Sequence, residues 1–365
     1  YGTSYFSAVV FVGYAGQFGY KYGLASTWIG IGNAVLGSLV AWVVLGRRTR
    51  IMSKHLGSMT MPDFFGKRYD SQSLRIAASV IAFIFLIPYT ASVYNGLSYL
   101  FGMAFDVDFR ICVVVMAVLT GVYVIIGGYM ATAWNDLIQG IIMLFGIVAV
   151  IAAVLSGHGG FMAAVKELAQ VPSSVMPGAY ASFLGPDPAN LFGVVILTSL
   201  GTWGLPQMIQ KFYAIKDEKA VHTGTIISTL FAIVVSGGCY FLGGFSRISG
   251  VKEAVDGTVK YDTIIPTMLS SLPDILIGIV IVLVLSASMS TLSSLVLTSS
   301  STLTLDFIKP LFVKKMNEKQ QLVWMRVLLA GFILISVVIA LDPPAFIAQL
   351  MGISWGALAG AFLAP

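Results

Sequence analysis

Residues 286–304 read SASMSTLSSLVLTSSSTLT, and twelve of these nineteen residues carry a hydroxyl group. The stretch belongs to a run from Ile275 to Leu305 that holds no charged residue over thirty-one positions. At about 1.5 Å per residue, a helix of that length more than crosses the roughly 30 Å hydrocarbon core of a bilayer. The pattern predicts a membrane helix rich in serine and threonine, which we call the hydroxyl helix.

Small hydroxyl residues have two ordinary uses in such a helix. They let neighbouring helices approach closely, and they donate hydrogen bonds to the carbonyl one turn earlier. These uses explain most of the hydroxyl residues in the stretch but not the part where they are densest. Helical spacing turns the side chains of that part toward one region around Ala287. Neutral oxygens gathered in a dry place suit a hard monovalent cation. The candidate cation cluster consists of Ser290, Thr291, Ser293 and Ser294.

The composition sets the class of protein. Mean hydropathy is +0.90, and apolar residues make up 57% of the chain against 10% charged residues. These values, with successive apolar runs of about twenty residues, are typical of multispanning membrane proteins. The net charge of +5 does not indicate nucleic acid, because the basic residues sort by side of the membrane and form no patch. Cys112 and Cys239 fall within apolar spans, which indicates neither a disulfide framework nor a metal site.

The apolar runs predict ten membrane spans in a single transmembrane domain covering residues 1–365. All are predicted to be helical, because unpaired backbone cannot face lipid. The chain starts at Tyr1 and stops at Pro365 within apolar sequence, so we expect it to be truncated at both ends. The predicted spans are 1–19, 28–45, 74–102, 111–128, 132–156, 190–212, 222–246, 275–305, 322–341 and 345–365.

The distribution of Lys and Arg predicts the orientation of these spans. With the first loop placed outside, fifteen of the 21 basic residues lie in inside loops and six in outside loops. An excess of basic residues on the cytoplasmic side is the general rule for membrane proteins. The count therefore supports both this orientation and the number of spans.

Two stretches interrupt the helical pattern inside apolar spans: residues 2–7, which read GTSYFS, and residues 200–206, which read LGTWGLP. Either could be a plain kink, since Gly and Pro are common in membrane helices. If ten helices divide into two halves of five, however, each break lies in the first helix of a half. That arrangement is typical of transporters with inverted repeats. Free carbonyls at such a break can bind a cation, and free amides can meet an anionic group.

Asp136 is a rare acidic residue beside the membrane, at the start of the predicted fifth span. An acid in the first turn of a helix is favoured by the helix dipole and can cap free amides. Alternatively, the carboxylate faces the interior of the bundle and meets the hydroxyl helix, where a second cation or a proton could bind. The sequence leaves both interpretations open.

The segment GGYMATAWND at residues 127–136, with Gln139, and the segment ASMSTLSS at residues 287–294, followed by Ser299, Ser300 and Asp306, resemble the two most recognisable motifs of the sodium:solute symporter family. That family includes proline, sugar, sialic acid, pantothenate, iodide and monocarboxylate carriers. Three shorter segments also fit its pattern, so the resemblance runs the length of the chain: TMPDFF at 60–65, GLP at 204–206 and SWGA at 354–357.

The resemblance implies an all-α, leucine-transporter-type fold of five plus five inverted helices. The leading helix, the start of helix one and the C-terminal helices would lie outside this chain. It also implies a sodium site between the broken first helix and the hydroxyl helix, and in some members a second sodium site between the fifth and eighth helices. The implied first-site ligands are the hydroxyls of Ser290 and Thr291 and the carbonyls of Ala287, Thr3 and Phe6, and those of the second site are Asp136, Ser290, Ser293 and Ser294.

One departure from the family bears on the substrate. Proline carriers have an Asp in the first-helix break, where this chain has Tyr5, and sugar carriers place Asn and Gln around that helix, where this chain has Tyr5 and Val10. Proline and sugars are therefore disfavoured. No Lys or Arg is predicted at mid-membrane, so an anionic substrate would be held by half-helix amides and a bound sodium. A small amino acid or a short carboxylate fits, and so does a neutral solute.

The substrate pocket is predicted at mid-membrane between the two broken helices. Aromatic residues at helical spacing are often simple packing residues, so each candidate is a separate hypothesis. The candidates are Tyr5 and Ser7 from the first helix, Tyr89, Thr90, Tyr94 and Asn95 from the third, and Thr198, Thr202, Trp203 and Gln207 from the sixth.

The predicted function is secondary active transport in the cell membrane, in which inward sodium flow drives uptake of a small organic solute. An enzyme is not predicted, because the spans hold no Ser/His/Asp set, no paired mid-membrane carboxylates and no cluster of metal ligands. The alternative is a membrane sensor, since symporter-like domains also occur fused to histidine kinases.

Overall fold

The computed structural model describes residues 2–250 and 259–363, apart from the side chains of Tyr5 and residues 127–133. Every regular element among the described residues is helical. The single helical run Phe109–Gly157 contains two apolar segments, which are numbered separately. The helices are Gly2–Tyr5 (α1), Val9–Tyr14 with Ala15–Tyr22 (α2), Thr27–Gly32 continued by Asn33–Val40, Trp42–Gly46 and Arg47–Leu56 (α3), Met61–Arg68 (α4), Gln72–Phe105 (α5), Phe109–Ile126 (α6), Trp134–Gly157 (α7), Phe161–Ala169 (α8), Pro188–Gly201 (α9), Pro206–Tyr213 (α10), Glu218–Gly243 (α11), Ile264–Leu269 (α12), Asp274–Thr302 (α13), Glu318–Leu341 (α14) and Ile347–Phe362 (α15).

Local sequence explains where several helices begin. The Ser71 hydroxyl accepts a hydrogen bond from Leu74 N at the start of α5. Asp217 does the same for Ala220 N at the start of α11. Such side chains satisfy backbone amides that have no partner within the helix, and they typically contribute about 1 kcal/mol. Polar loop residues that end one apolar run therefore also set the first turn of the next helix.

Seven helices within the described residues are long and apolar enough to cross a membrane, or eight if the bent pair of α9 and α10 is one span. One of the seven, Val9–Leu56, is really two crossings, because the chain reverses at Gly23, which has a φ of +61°. The stretch formed by α1 and α2 runs parallel to α11, and the α3 arm runs antiparallel to it. The contacts that show this are Gly2 with Phe231, Gly19 with Gly243, Gly30 with Gly237 and Ser38 with Ser228.

The two apolar segments of the run Phe109–Gly157 also lie side by side. Asn135 Nδ2 donates to Tyr123 OH at 2.8 Å, whereas positions twelve apart in a straight helix are about 18 Å apart. Both segments contact the hydroxyl helix, α6 through Thr120 with Met289 and α7 through Gly146 with Leu283. Counting the two arms of Val9–Leu56, the bent pair of α9 and α10 and the shorter apolar helix α15, the described residues hold ten apolar helical segments, the number of spans predicted.

Both predicted breaks are present. The first separates α1 from α2 at Phe6 and Ser7. The second follows α9, where a short 3₁₀ turn ends at Gly204 and the axis bends by 50° into α10. Pro206 starts α10 without an amide of its own, and a Cβ on Gly204 would lie 2.6 Å from Ala359 Cα. Proline and close helix contact therefore fix the second break.

Some helices extend well beyond the predicted spans. The span predicted at 28–45 belongs to a helical run that continues through the basic segment Arg47–Leu56, and the span predicted at 275–305 continues to Leu311. Charged residues mark where the apolar sequence ends, but they form helices readily, so they do not end the helix. The loop after α7 contains the short helix α8.

The end of α3 is tied to the loop between α10 and α11 by basic side chains. Arg50 Nε donates to Ile215 O at 3.0 Å and Arg50 Nη2 to Lys216 O at 2.7 Å. Lys54 Nζ also reaches Lys216 O at 3.2 Å. We call this end of the bundle, which carries Arg50, Lys54 and Lys216, the basic end. It is the end that the distribution of Lys and Arg predicts to be cytoplasmic.

Candidate functional site

The hydroxyl helix, α13, meets the first break directly. Thr291 Oγ1 donates to Phe6 O at 3.0 Å and lies 3.5 Å from Ser4 O. Ser290 Oγ is fully buried and has no hydrogen-bond partner among the described residues. A buried hydroxyl without a partner loses the hydration it would have in water, so it normally has a ligand or a bound water. Two backbone carbonyls and the Thr291 hydroxyl thus meet at one buried place, and the unpartnered hydroxyl belongs to the preceding residue of α13.

Among the predicted first-site ligands, the structure brings Thr291 into contact with Phe6. Phe6, Ala287, Ser290 and Thr291 are all buried. Thr3 belongs to α1 and its methyl group faces Gly140 of α7. Ser4 O was not among the predicted carbonyls, although it also faces Thr291 Oγ1. The set of oxygens consists of uncharged hydroxyls and carbonyls, which suits sodium better than a divalent transition metal.

The first amides of α2 are satisfied by serine oxygens. Ala8 N donates to Ser288 Oγ of the hydroxyl helix at 2.9 Å. Val9 N donates to Ser7 Oγ at 3.3 Å, and the amides of the next two residues donate to Ser7 O at 3.1 Å. The half-helix amides that we expected to meet an anionic substrate group are therefore already paired at this break. Sequence spacing could not show this, because Ser288 lies 280 positions from Ala8.

Asp136 forms an ion pair with a lysine. Its Oδ2 lies 3.1 Å from Lys211 Nζ of α10, and both side chains are mostly buried. Ser294 Oγ pairs with Ser4 Oγ at 3.1 Å, and Ser293 Oγ donates to Ser290 O at 3.0 Å. None of the described hydrogen bonds joins Asp136 to either serine, although Asp136 Oδ1 is buried without a partner. The sequence pattern gave no indication of Lys211, whose charge is paired with Asp136 within the bundle.

Apart from Trp203, the predicted substrate residues that are described fall into two groups. Thr90, Thr198 and Thr202 are buried but donate to carbonyls of their own helices, Leu86 O, Val194 O and Ser199 O. They behave as back-bonded helix residues. Ser7, Tyr89, Tyr94, Asn95 and Gln207 are buried within the bundle.

Two side chains stand out among the buried candidates. Both Oε1 and Nε2 of Gln207 are buried without a hydrogen-bond partner in the described part of the chain, and so is Oδ1 of Asn95. An amide group offers donors and an acceptor at once, so it can bind a polar group of either kind. Gln207 directly follows Pro206, the first residue of α10, and therefore lies at the second break.

Trp203 is not brought to this group. Its Nε1 donates to Leu36 O of α3 at 3.0 Å, and its ring lines a separate cavity of about 390 Å³ near the basic end. The side chain of Tyr5 lies outside the described residues, so its predicted role remains a hypothesis. Tyr14 and Trp355 were not among the candidates, yet the Trp355 ring lies 6.1 Å from that of Tyr14 and 6.0 Å from that of Tyr89.

These features define a class of protein: a helical membrane transporter in which two broken helices and a hydroxyl-rich helix enclose a buried polar site. The family model for the sodium:solute symporter family matches residues 1–365. The chain therefore belongs to the sodium:solute symporter family. It is a sodium-coupled solute transporter, and the family consists of transporters rather than enzymes, as predicted.

Individual relatives agree with this assignment. The chain is 29% identical to the sodium/pantothenate symporter of Haemophilus influenzae over 99% of its own length and 73% of the relative's. It is 27% identical to the sodium/proline symporter of Salmonella typhimurium over 93% of its length and 68% of the relative's. The fold matches the solved structure of a substrate-bound, outward-open Na⁺-coupled sialic acid symporter with a TM-score of 0.74 at 18% identity, covering 99% of this chain and 77% of that one. This likeness confirms the predicted fold class.

Proposed function

We propose that the protein takes up a small carboxylate across the cell membrane, driven by sodium bound between the first break and the hydroxyl helix. The observation that supports this most directly is the contact of Thr291 Oγ1 with Phe6 O beside the unpartnered Ser290 Oγ. A cation there would bridge two helices and stabilise the arrangement in which they touch. A ligand shifts a conformational equilibrium only through such differential affinity.

The proposed sodium ligands are uncharged oxygens. Ser290 Oγ and Thr291 Oγ1 would turn their lone pairs to the ion, and the carbonyls of Phe6, Ala287 and Thr3 would complete the shell. Each sodium that moves inward also gains about 2.3 kcal/mol per 100 mV of membrane potential. Sodium thus supplies both the structural bridge and the driving force for accumulation.

We propose a single sodium ion rather than two. The Lys211 ammonium lies 3.1 Å from Asp136 Oδ2, at the place where a second cation would have to bind. A lysine and a sodium ion carry the same charge, and a carboxylate that already faces an ammonium attracts a further cation less strongly. The alternative set of Asp136, Ser293 and Ser294 as a second sodium site remains the competing hypothesis.

Three considerations favour a small carboxylate as substrate. Proline and pantothenate, the solutes in the names of the relatives, are both carboxylates. The amides of α2 are paired with Ser7 and Ser288, so a carboxylate would be held by the bound sodium and by the free amide group of Gln207. Tyr5 in the first break still disfavours proline itself. The whole of residues 1–365 would act as one multi-pass domain in the lipid bilayer.

The decisive experiment is uptake by the complete protein in proteoliposomes. A panel of labelled amino acids, short carboxylates and sugars is offered under an imposed sodium gradient and, separately, under an imposed proton gradient. Accumulation of a carboxylate that depends on sodium supports the proposal. Accumulation driven by protons alone contradicts the choice of ion, and binding of a solute without accumulation under either gradient favours the membrane-sensor alternative.

A further inference from the structure

A second polar cavity of about 600 Å³ lies at the basic end, far from the proposed sodium site. It is lined by α4, by the start of α5 and by the extension of α13. Its volume is within the range of small-molecule sites. The charged residues that line it are Asp63, Lys67, Arg75, Asp306, Lys309 and Lys314.

Both carboxylates of the cavity are already neutralised. Arg75 Nη2 lies 2.8 Å from Asp306 Oδ1 and 3.1 Å from Asp63 Oδ1. Lys67 Nζ lies 2.9 Å from Asp63 Oδ2, and the Thr60 hydroxyl donates to Asp306 Oδ2. Two cations and a hydroxyl thus contact the two acids. The charges of Arg75 and Lys67 balance those of Asp63 and Asp306.

Two lysines remain without a counter-charge. Neither Lys309 nor Lys314 forms an ion pair or side-chain hydrogen bond within the described residues, and both line the cavity. The four cations exceed the two carboxylates by two positive charges. A concave site whose walls carry an excess of one sign concentrates the field and attracts ions of the opposite sign.

We propose that this cavity binds a phosphate-bearing anion through Lys309 and Lys314. A phosphate offers several strong acceptor oxygens, and lysine is a point charge suited to it. The anion could come from the headgroup of an anionic lipid or from a soluble phosphate compound. Cytoplasmic basic pockets beside membrane helices are known to suit anionic headgroups. Exposed Leu311 and Phe312 stand next to the cavity, where acyl chains would lie.

The bound anion would contact the extension of α13, at the end of that helix away from the proposed sodium site. Lys309 lies within the continuous helical run Asp274–Leu311, which also carries the proposed sodium ligands. A ligand that joins this extension to α4 and α5 stabilises the folded arrangement of that end by mass action. Binding can therefore be measured as a shift of the unfolding temperature, without reference to transport.

The test uses the full chain purified in detergent, with thermal unfolding as the readout. The probes are short-chain phosphatidylglycerol, short-chain phosphatidylcholine and inorganic phosphate at matched ionic strength. The double variant Lys309→Gln with Lys314→Gln removes the two unpaired charges. The double variant Lys315→Gln with Lys319→Gln is the matched control, because it loses the same charge from neighbouring residues that do not line the cavity.

We expect phosphatidylglycerol to raise the unfolding temperature of the wild type and of the control at similar concentrations. The Lys309/Lys314 variant should need about tenfold more, a few-fold for each lysine lost. A comparable effect of inorganic phosphate would assign the site to soluble phosphates as well, and an effect of phosphatidylglycerol alone would assign it to lipid. Equal effects of both lipids, no effect of any probe, or an unchanged response of the Lys309/Lys314 variant would overturn the proposal.

Discussion

At the scale of single residues, Thr291 is the clearest link between sequence and proposed function. Its hydroxyl reaches Phe6 O, while its methyl group adds only packing. We expect Thr291→Ala to raise the sodium concentration for half-maximal uptake by about tenfold, which corresponds to about 1.4 kcal/mol. Thr291→Ser keeps the hydroxyl and should stay close to the wild type. Uptake measured against sodium concentration in proteoliposomes provides the comparison.

Ser301→Ala is the control for that series. Ser301 lies on the same helix, but its hydroxyl donates only to Thr298 O one turn earlier. It should leave sodium dependence unchanged. An equal effect of both alanine substitutions would show that the helix as a whole, rather than the Thr291 hydroxyl, sets sodium affinity.

Ser288 leads to a different expectation. Its hydroxyl is the acceptor for the buried Ala8 amide, and Ser288→Ala leaves that amide without a partner. An unsatisfied buried group costs about 1–3 kcal/mol, so the unfolding temperature should fall. Ser288→Thr retains an acceptor and should be milder. If thermal unfolding cannot distinguish Ser288→Ala from the wild type, the amide has found another partner and the serine is not needed there.

At the scale of elements, the sequence predicted the helices and their breaks well, for identifiable reasons. Gly204 and Pro206 disfavour a continuous helix, and a long uncharged run has to cross the membrane. The contacts between elements were less accessible. Two of these contacts join residues that are far apart in the chain: Ser288 with Ala8, and Asp136 with Lys211. The sequence around Ala8 and around Lys211 carries no pattern that indicates the contact. The helical extensions beyond the predicted spans were missed because hydropathy indicates which residues prefer lipid to water. It does not indicate where a helix ends.

The ion pair of α7 with α10 can be tested through sodium stoichiometry. If Lys211 takes the place of a second sodium ion, Lys211→Met frees the Asp136 carboxylate to bind one. Sodium dependence of uptake should then become steeper, with a Hill coefficient that moves from about 1 toward about 2. The measurement is uptake against sodium concentration at saturating substrate.

The double variant Asp136→Asn with Lys211→Met serves as the control, because it removes both charges and should keep the shallow dependence. Removing one partner of a mostly buried pair is also destabilising, whereas removing both is less so. A wild type that already shows a coefficient near 2 would contradict the single-sodium proposal and favour the second site at Asp136, Ser293 and Ser294.

At the scale of the whole molecule, the loop before the hydroxyl helix joins the two halves at the end opposite the basic end. Tyr261 O lies against Gly16 of α2 in the first half, where a Cβ would be 3.2 Å away. Asp262 accepts hydrogen bonds from Ile347 N, the first amide of α15 in the second half, at 3.2 and 3.1 Å. The Tyr261 and Phe346 rings pack beside this contact. One short segment thus holds the outer ends of α2 and α15 together.

This junction should respond to pH through Asp262, which lies outside the spanning helices. Burial raises the pKa of its carboxyl from 3.8 to about 6, against the opposing effect of the Ile347 amide. Because the folded state holds the proton more tightly than the unfolded state, the stabilising contribution is complete below about pH 4 and is lost as the pH rises to about 6. Asp262→Asn keeps an acceptor for the amide and cannot ionise. We therefore expect thermal unfolding between pH 4 and pH 7 to show a declining component in the wild type that Asp262→Asn lacks. Parallel pH profiles for the two proteins would place the titrating group elsewhere.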